Sequence, residues 1–156
     1  MLHDQFTVRV CLEYFTIGHA PVFPTHDPTL LGLGWGVIAT WWVGLALGVG
    51  LAIAARAGSR PRRDLQSLLR PVGKLLAVMA AAALMMGIAG WIAADAGWVR
   101  LWGEMAQRVP AEKQVPFMAA MWAHSASYVV GIVGGVETII SVWRSRSPNK
   151  KSDGPR

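Results

Sequence analysis

Three long apolar segments dominate the pattern of hydrophobic and polar positions along the chain. Residues 33–55 contain no ionisable side chain, residues 75–94 contain only Ala, Val, Ile, Leu, Met, Gly and Trp, and residues 118–143 form a third, more polar segment. A helix needs roughly 20 mainly apolar residues to cross a hydrocarbon core about 30 Å thick. None of the segments alternates with a period of two, as barrel strands do. The pattern therefore predicts an all-α integral membrane protein with three transmembrane helices.

The basic residues are concentrated in two of the connecting segments. Residues 56–74 carry five arginines and one lysine, and further basic residues follow the third apolar segment: Arg144, Arg146, Lys150 and Lys151. Residues 1–32 contain a single Lys or Arg residue, Arg9, and residues 95–117 contain equal numbers of acidic and basic side chains. Since Lys and Arg accumulate in cytoplasmic loops, residues 56–74 and the C-terminus are predicted to be cytoplasmic, with the helices in a bacterial inner membrane. This topology and anionic lipids account for the formal charge of +6, so we expect no nucleic-acid partner.

The remaining segments complete a single membrane domain over residues 1–144. Residues 1–32 and 95–117 are predicted to lie outside. In the second of them, Trp98, Leu101, Trp102 and Met105 recur at helical spacing, which predicts a short amphipathic helix ending near Pro110, with Arg100, Glu104 and Arg108 in two i,i+4 ion pairs. The basic tail over residues 145–156 is predicted to be disordered, because it has almost no apolar side chains to bury.

Two short motifs carry a resemblance to a known family. His3-Asp4-Gln5 is followed by Glu13-Tyr14-Phe15-Thr16, and residues 36–44 read GVIATWWVG. Together they resemble an uncharacterised family of small bacterial integral membrane proteins. In that family the HDQ triplet directly follows an additional N-terminal membrane helix, and a proline stands where this chain has Leu12. The resemblance implies four transmembrane helices in the full-length protein and supplies no activity.

Glycine pairs and three polar side chains are the candidate functional positions within the apolar segments. Gly44 with Gly48, and Gly131 with Gly135, have the GxxxG spacing that lets helices approach closely. His124 and Tyr128 lie one turn apart on a polar stripe of the third segment, and Glu137 lies nearer its inner end. His124 and Glu137 are about 20 Å apart along one helix and about 220° apart around it, so they cannot form one acid-base pair.

The predicted outer segment contains three weak metal-ligand candidates, His3, His19 and His26, which lack the close spacing of a metal motif. We expect no bound cofactor. Cys11 is the only cysteine, which excludes a disulfide within one chain. No phosphate-binding loop, dinucleotide fingerprint, nucleophile elbow or HExxH motif occurs, so the sequence gives no indication of an enzyme.

Three hypotheses about function follow from these patterns. The first is a non-enzymatic helical bundle that self-associates as a homo-oligomer or joins a larger membrane complex through its glycine-rich helix faces. The second is a small oligomeric transporter or channel that uses Glu137 and the stripe of His124 and Tyr128. The third is a membrane redox subunit that uses the outer histidines.

Overall fold

A computed structural model describes residues 2–146, and this part of the chain consists of helices joined by turns and loops, without a strand. Seven α-helices follow one another: α1 (Leu2–Val10), α2 (Leu12–Thr16), α3 (Pro28–Ile38), α4 (Trp41–Arg56), α5 (Leu65–Asp95), α6 (Gly103–Arg108) and α7 (Gln114–Ser145). A 3-10 turn (Ala111–Lys113) precedes α7. Three helical stretches are long and apolar enough to cross a membrane: Pro28–Arg56, Leu65–Asp95 and Ala111–Ser145. The all-helical fold class and the three apolar helices are thereby confirmed.

The helices extend further than the apolar segments from which they were predicted. α5 begins ten residues before the apolar segment, at Leu65, because the Asp64 side chain accepts a hydrogen bond from the Ser67 N–H at 3.0 Å and caps the helix. Hydropathy marks the part of a helix that fits into hydrocarbon, whereas capping groups mark its ends. α7 likewise continues to Ser145, and Arg146 is buried, so the predicted disordered tail begins too early. Residues 147–156 lie outside the described residues.

The first membrane-length stretch is interrupted near its middle. α3 starts at Pro28 with Asp27 as its cap, and it ends at Ile38, before α4 begins at Trp41. The Thr40 hydroxyl donates a hydrogen bond to the Gly36 carbonyl, which is the local side-chain bonding that bends helices at threonine. The apolar run over residues 33–55 gave no sign of this break.

α7 is the central helix of the bundle. It packs along most of its length against the antiparallel α5, where Gly90 meets Trp122 at one end and Gly134 meets Leu75 at the other. α4 packs on another face of α7, and Ala54 and Ala55 form a small core with Val142. α4 and α5 hardly touch each other. A gap therefore remains between them, with α7 as its floor.

The N-terminal segment is helical, although it was predicted only as an outer segment. α1 lies along α3, and α2 fits between them and α7. Val8, Phe15 and Leu31 join these helices in one buried cluster, and Cys11 and Phe117 belong to a second. We call this part of the molecule the α1 end, and the opposite part, where residues 56–64 meet the last turn of α7, the arginine-rich end.

The predicted amphipathic helix is shorter than the pattern suggested. Residues 98–102 are not helical, because Gly97 ends α5 at a φ of +73° and Gly103, at +63°, starts α6. Both values lie in the left-handed region that favours glycine. Of the two expected ion pairs, the Glu104–Arg108 pair is present at 3.3 Å, and no Arg100–Glu104 pair occurs among the described residues. Trp98 and Trp102 are nevertheless strongly exposed, at 78% and 86%.

Candidate functional site

A deep lateral cleft runs between α4 and α5 and has a volume of about 1200 Å³. α7 forms its floor, and α1 covers the end nearest the N-terminal segment. Its walls are apolar over most of their length. The polar groups lie mainly toward the α1 end: His3, Asp4, Thr7, Thr40, His124, Ser127 and Tyr128. The cleft therefore combines an apolar trough of bilayer length with a polar head.

A buried pair of ionisable side chains joins α1 to α7 at that head. Asp4 and His124 are only 5% and 7% exposed, and His124 Nε2 lies 3.4 Å from Asp4 Oδ1. The other ring nitrogen, Nδ1, lies 2.9 Å from the Ala120 carbonyl oxygen. Each ring nitrogen of His124 thus lies near a hydrogen-bond acceptor. The pair links residues 120 positions apart and anchors the N-terminal helix onto the bundle.

Aromatic rings enclose His124 on its remaining sides. The ring centroids of His3, Tyr14 and Phe15 lie 4.4, 4.8 and 5.6 Å from that of His124. Tyr14 also contacts His19, whose Nδ1 lies 2.8 Å from the Tyr14 carbonyl oxygen. We call Asp4, His124 and the surrounding rings of His3, Tyr14, Phe15 and His19 the outer cluster.

The electrostatic environment of the outer cluster shifts the pKa values of its members. Burial, together with the nearby His124, lowers the pKa of His3 from 6.5 to about 4. The His3 Nε2 atom is buried and has no hydrogen-bond partner among the described side chains and backbone, so only the nearby Asp4 charge, a smaller effect than burial, favours an added proton there. Burial acts to raise the pKa of Asp4, but the hydrogen bond with His124 and the nearby positive charges together outweigh it, and the pKa falls to about 2. Burial raises that of Tyr14 to about 12.

The three candidate metal ligands do not converge. His3 and His19 lie on different sides of Tyr14 within the outer cluster, and His26 is exposed in the segment before α3. Over residues 2–146, no group of three or more His, Cys, Asp or Glu side chains is placed to hold a metal ion. The His3 ring packs instead against His124, and the His19 ring packs against Tyr14, Phe15 and Trp35.

The three polar candidates of the third apolar segment separate into two places. His124 and Tyr128 both line the cleft, and the Tyr128 hydroxyl lies 3.5 Å from the Ala39 carbonyl oxygen at the break between α3 and α4. Glu137 is exposed and does not line the cleft. The structure therefore brings His124 and Tyr128 together with the helix break and leaves Glu137 outside.

The two GxxxG pairs have different environments. A Cβ atom added at Gly131 would lie 2.9 Å from the Met79 side chain, and one added at Gly135 would lie 2.7 Å from Leu47. These two glycines thus allow α5 and α4 to approach α7. Gly44 and Gly48 line the cleft, and an added Cβ would meet no atom within 4 Å at either position. Their close-packing surface has no partner within the described chain.

Sequence reasoning missed the buried arginine at the arginine-rich end. Arg146 is 1% exposed, and its guanidinium donates hydrogen bonds to four backbone carbonyl groups, those of Ala54, Ala57, Arg60 and Pro61, at 2.6–2.9 Å. Arg60 in turn donates to the Trp143 carbonyl at 3.2 Å. The end of α4 and the loop after it thus accept hydrogen bonds from an arginine at the end of α7, and the last turn of α7 accepts one from an arginine of that loop. An arginine just after an apolar helix was the available signal, but it was interpreted only as a topology marker.

Comparison with known proteins adds no functional assignment. No protein-family model, curated protein or solved structure matches the chain. The function must therefore be argued from the cleft, the outer cluster and the arginine-rich end.

Proposed function

We propose that the protein is a non-enzymatic bundle of a bacterial inner membrane that functions as a homo-oligomer, with its arginine-rich end in the cytoplasm. The observation that carries this proposal is the open surface at Gly44 and Gly48. GxxxG pairs on membrane helices support close helix–helix contact, and this pair faces a cleft rather than a neighbouring helix. The basic residues 56–74 support the orientation.

A second copy fits this surface better than an unrelated helix does. In a two-fold symmetric dimer the same patch serves both copies, so one glycine pair is sufficient for both sides of the contact. α4 of one copy would cross α4 of its partner at Gly44 and Gly48. Large apolar side chains flank the pair and remain exposed in the single chain: Trp41, Leu45 and Val49 at 61%, 59% and 50%. They would surround the crossing point.

Substitution of both glycines by leucine is expected to separate the copies without disturbing the single chain. Neither position has an atom within 4 Å of an added Cβ, so the monomer has room for the new side chains. In the dimer they would hold the helices apart and cost about 1–3 kcal/mol, which lowers the association constant roughly 5- to 150-fold. Energy transfer between donor- and acceptor-labelled copies in liposomes, titrated against the protein-to-lipid ratio, measures that constant.

Gly73→Leu is the matched control. Gly73 is also an exposed helical glycine with no atom within 4 Å of an added Cβ, but it lies on α5 and does not line the cleft. It is expected to associate as the unmodified protein does. A monomeric unmodified protein, or an equal effect of Gly73→Leu and the Gly44→Leu/Gly48→Leu double variant, would refute the proposed dimer.

A second candidate function, a small oligomeric transporter or channel, is favoured by the helix break at residues 39–40. Interrupted membrane helices leave backbone carbonyl groups open, and in transporters these breaks lie at ion sites near the middle of the bilayer. Here the break faces the cleft at Thr40, beside Tyr128 and below the pair of Asp4 and His124. The proton is the cation that these groups suit best.

Under this second candidate, Asp4→Asn is expected to lower proton flux at least tenfold, because it removes the carboxylate at the head of the cleft. Glu137→Gln is expected to leave the flux unchanged, since Glu137 lies outside the cleft. A pH-sensitive dye inside proteoliposomes, under an imposed potassium diffusion potential, records the flux. Flux no greater than that of protein-free liposomes would exclude the transporter and leave the dimer proposal untouched.

A further inference from the structure

A second, smaller pocket lies at the arginine-rich end, between the start of α5 and the last turns of α7. Its volume is about 170 Å³. Arg63, Ser67, Ser141 and Ser145 supply polar groups to its wall, and Leu68 is among the apolar side chains behind them. It does not share a lining residue with the lateral cleft. Neither the proposed dimer nor the second candidate uses it.

The hydrogen-bonding groups of this pocket are suited to an anion. Among residues 2–146, the Arg63 side chain makes one hydrogen bond, from Nη2 to the Ser145 carbonyl at 3.0 Å. A guanidinium has five N–H groups in a planar fork, so Arg63 keeps several donors for a ligand. Ser141 is exposed, and its hydroxyl has no partner among residues 2–146. By contrast, the hydroxyl groups of Ser67 and Ser145 already donate to the Asp64 and Val142 carbonyls.

The surrounding charge is strongly positive. Residues 56–74 contain six basic side chains and only one acidic one, Asp64, and the Asp64 carboxylate accepts the Ser67 N–H at 3.0 Å. The other acidic side chain to consider is Glu137, which lies one helical turn before Ser141 on α7 and does not line the pocket. The local field thus favours a negative group at the level where the helices leave the bilayer.

The position of the pocket relative to the bilayer indicates which kind of anion binds there. The pocket lies at the ends of two membrane-length helices, which is the depth of phospholipid head groups. Its polar wall is continuous with apolar side chains such as Leu68 and Val142. A phosphodiester with attached acyl chains matches both parts, whereas free phosphate would use only the polar wall. Basic pockets between membrane helices bind anionic lipid head groups elsewhere for the same reason.

We infer that this pocket binds the phosphate group of an anionic phospholipid, with Arg63 donating two hydrogen bonds to its oxygens and Ser141 donating a third. The acyl chains then run along the outer surface of α5 and α7. This binding requires that the chain spans a membrane, but it does not depend on dimer formation.

Native mass spectrometry of the full chain released from nanodiscs tests the inference. The nanodiscs contain equal amounts of phosphatidylglycerol and phosphatidylcholine with identical acyl chains. The unmodified protein is expected to retain phosphatidylglycerol in preference. Arg63→Gln is expected to lower that retention about tenfold, because a hydrogen bond to a charged group contributes about 1.5–3 kcal/mol. Ser141→Ala is expected to lower it about threefold, and it serves as the test if Arg63→Gln does not fold.

Arg62→Gln is the matched control, because Arg62 is the exposed neighbour of Arg63 and does not line the pocket. It removes the same charge and is expected to retain phosphatidylglycerol. Equal losses in Arg62→Gln and Arg63→Gln would reduce the effect to general surface charge and overturn the inference. Displacement by added inorganic phosphate, without any preference between the two lipids, would assign the pocket to the free ion and overturn the lipid assignment.

Discussion

Replacement of Arg146 by alanine is expected to lower the free energy of unfolding by about 4 kcal/mol, the largest single effect that we anticipate. Four backbone carbonyl groups would lose their donor, and hydrogen bonds to a charged group contribute about 1.5–3 kcal/mol each, without simple additivity. The guanidinium is also fully enclosed, so its removal leaves a cavity between α4 and α7. Thermal unfolding in a mild detergent, calibrated by denaturant titration, measures the change.

Two further variants separate the hydrogen bonds from the charge. Arg146→Lys keeps the charge, but its single ammonium group cannot match the planar fork that serves four carbonyl groups, so it is expected to be intermediate. Arg62→Ala removes an exposed arginine from the same loop and is expected to stay within about 0.5 kcal/mol of the unmodified protein. Similar stability of the Arg146→Ala and Arg62→Ala variants would show that the arginine contacts at this end do not hold α4 to α7.

The three long apolar helices could be predicted because their signal is local. Each apolar segment is contiguous, and the thickness of the bilayer fixes the length that it must have. The ends of the helices depend on single groups instead. Asp64 extends α5 toward the basic loop, and Thr40 marks the interruption between α3 and α4. Both residues were visible in the sequence, but their effect depends on hydrogen bonds within one turn, which hydropathy does not register.

The outer cluster could not be predicted, because its members are distant in sequence. Asp4 and Tyr14 come from the first two helices, and His124 comes from the last. Their meeting depends on how α1 and α2 dock onto α7, and no periodicity records such a contact. The motifs HDQ and EYFT supplied an indirect signal, since both contribute side chains to the outer cluster. In the sequence the two motifs and His124 stand as separate features.

The cleft was missed for a related reason. Gly44 with Gly48 and Gly131 with Gly135 have the same spacing in the sequence, and spacing alone indicates packing at both. Only the arrangement of α4, α5 and α7 shows that Gly131 and Gly135 pack against other helices of the chain, whereas Gly44 and Gly48 do not. Whether a glycine pair packs within the chain or remains exposed depends on the tertiary arrangement of the helices. Because Gly44 and Gly48 remain exposed, the proposed dimer contact is placed at this pair and not at Gly131 and Gly135.

Acidification is expected to loosen the outer cluster between about pH 6.5 and about pH 4. The pKa of His3 is about 4 in the folded protein, because of burial and the nearby His124, against 6.5 for a free histidine. The undocked state therefore takes up a proton first, and docking is fully stable above pH 6.5 and weakens as the pH falls. The docking free energy falls by about 1.5 kcal/mol. This is roughly half of the free energy that corresponds to the pKa shift of His3, because water reaches part of the His3 ring.

Other members of the outer cluster determine the shape of this pH profile. Burial also lowers the pKa of His19, so His19 acts in the same direction as His3. The pKa of Asp4 is about 2 against 3.8, and its contribution is lost only below about pH 3.8. The neutral Tyr14 does not titrate in this range, since its pKa is about 12. His124, a further ionisable neighbour of His3, lies 3.4 Å from Asp4.

Cys11 provides a single reporter for this loosening. It is buried between the N-terminal helices and α7, and no other cysteine occurs in the chain. Its labelling by a pyridyl disulfide, relative to the denatured chain at the same pH, is expected to accelerate about tenfold over this range, which corresponds to about 1.4 kcal/mol. His3→Gln should flatten most of the rise, whereas the exposed His26→Gln should preserve it. A rise of the same size in His3→Gln would show that protonation elsewhere opens the N-terminal helices, and a flat profile in the unmodified protein would show that they stay docked.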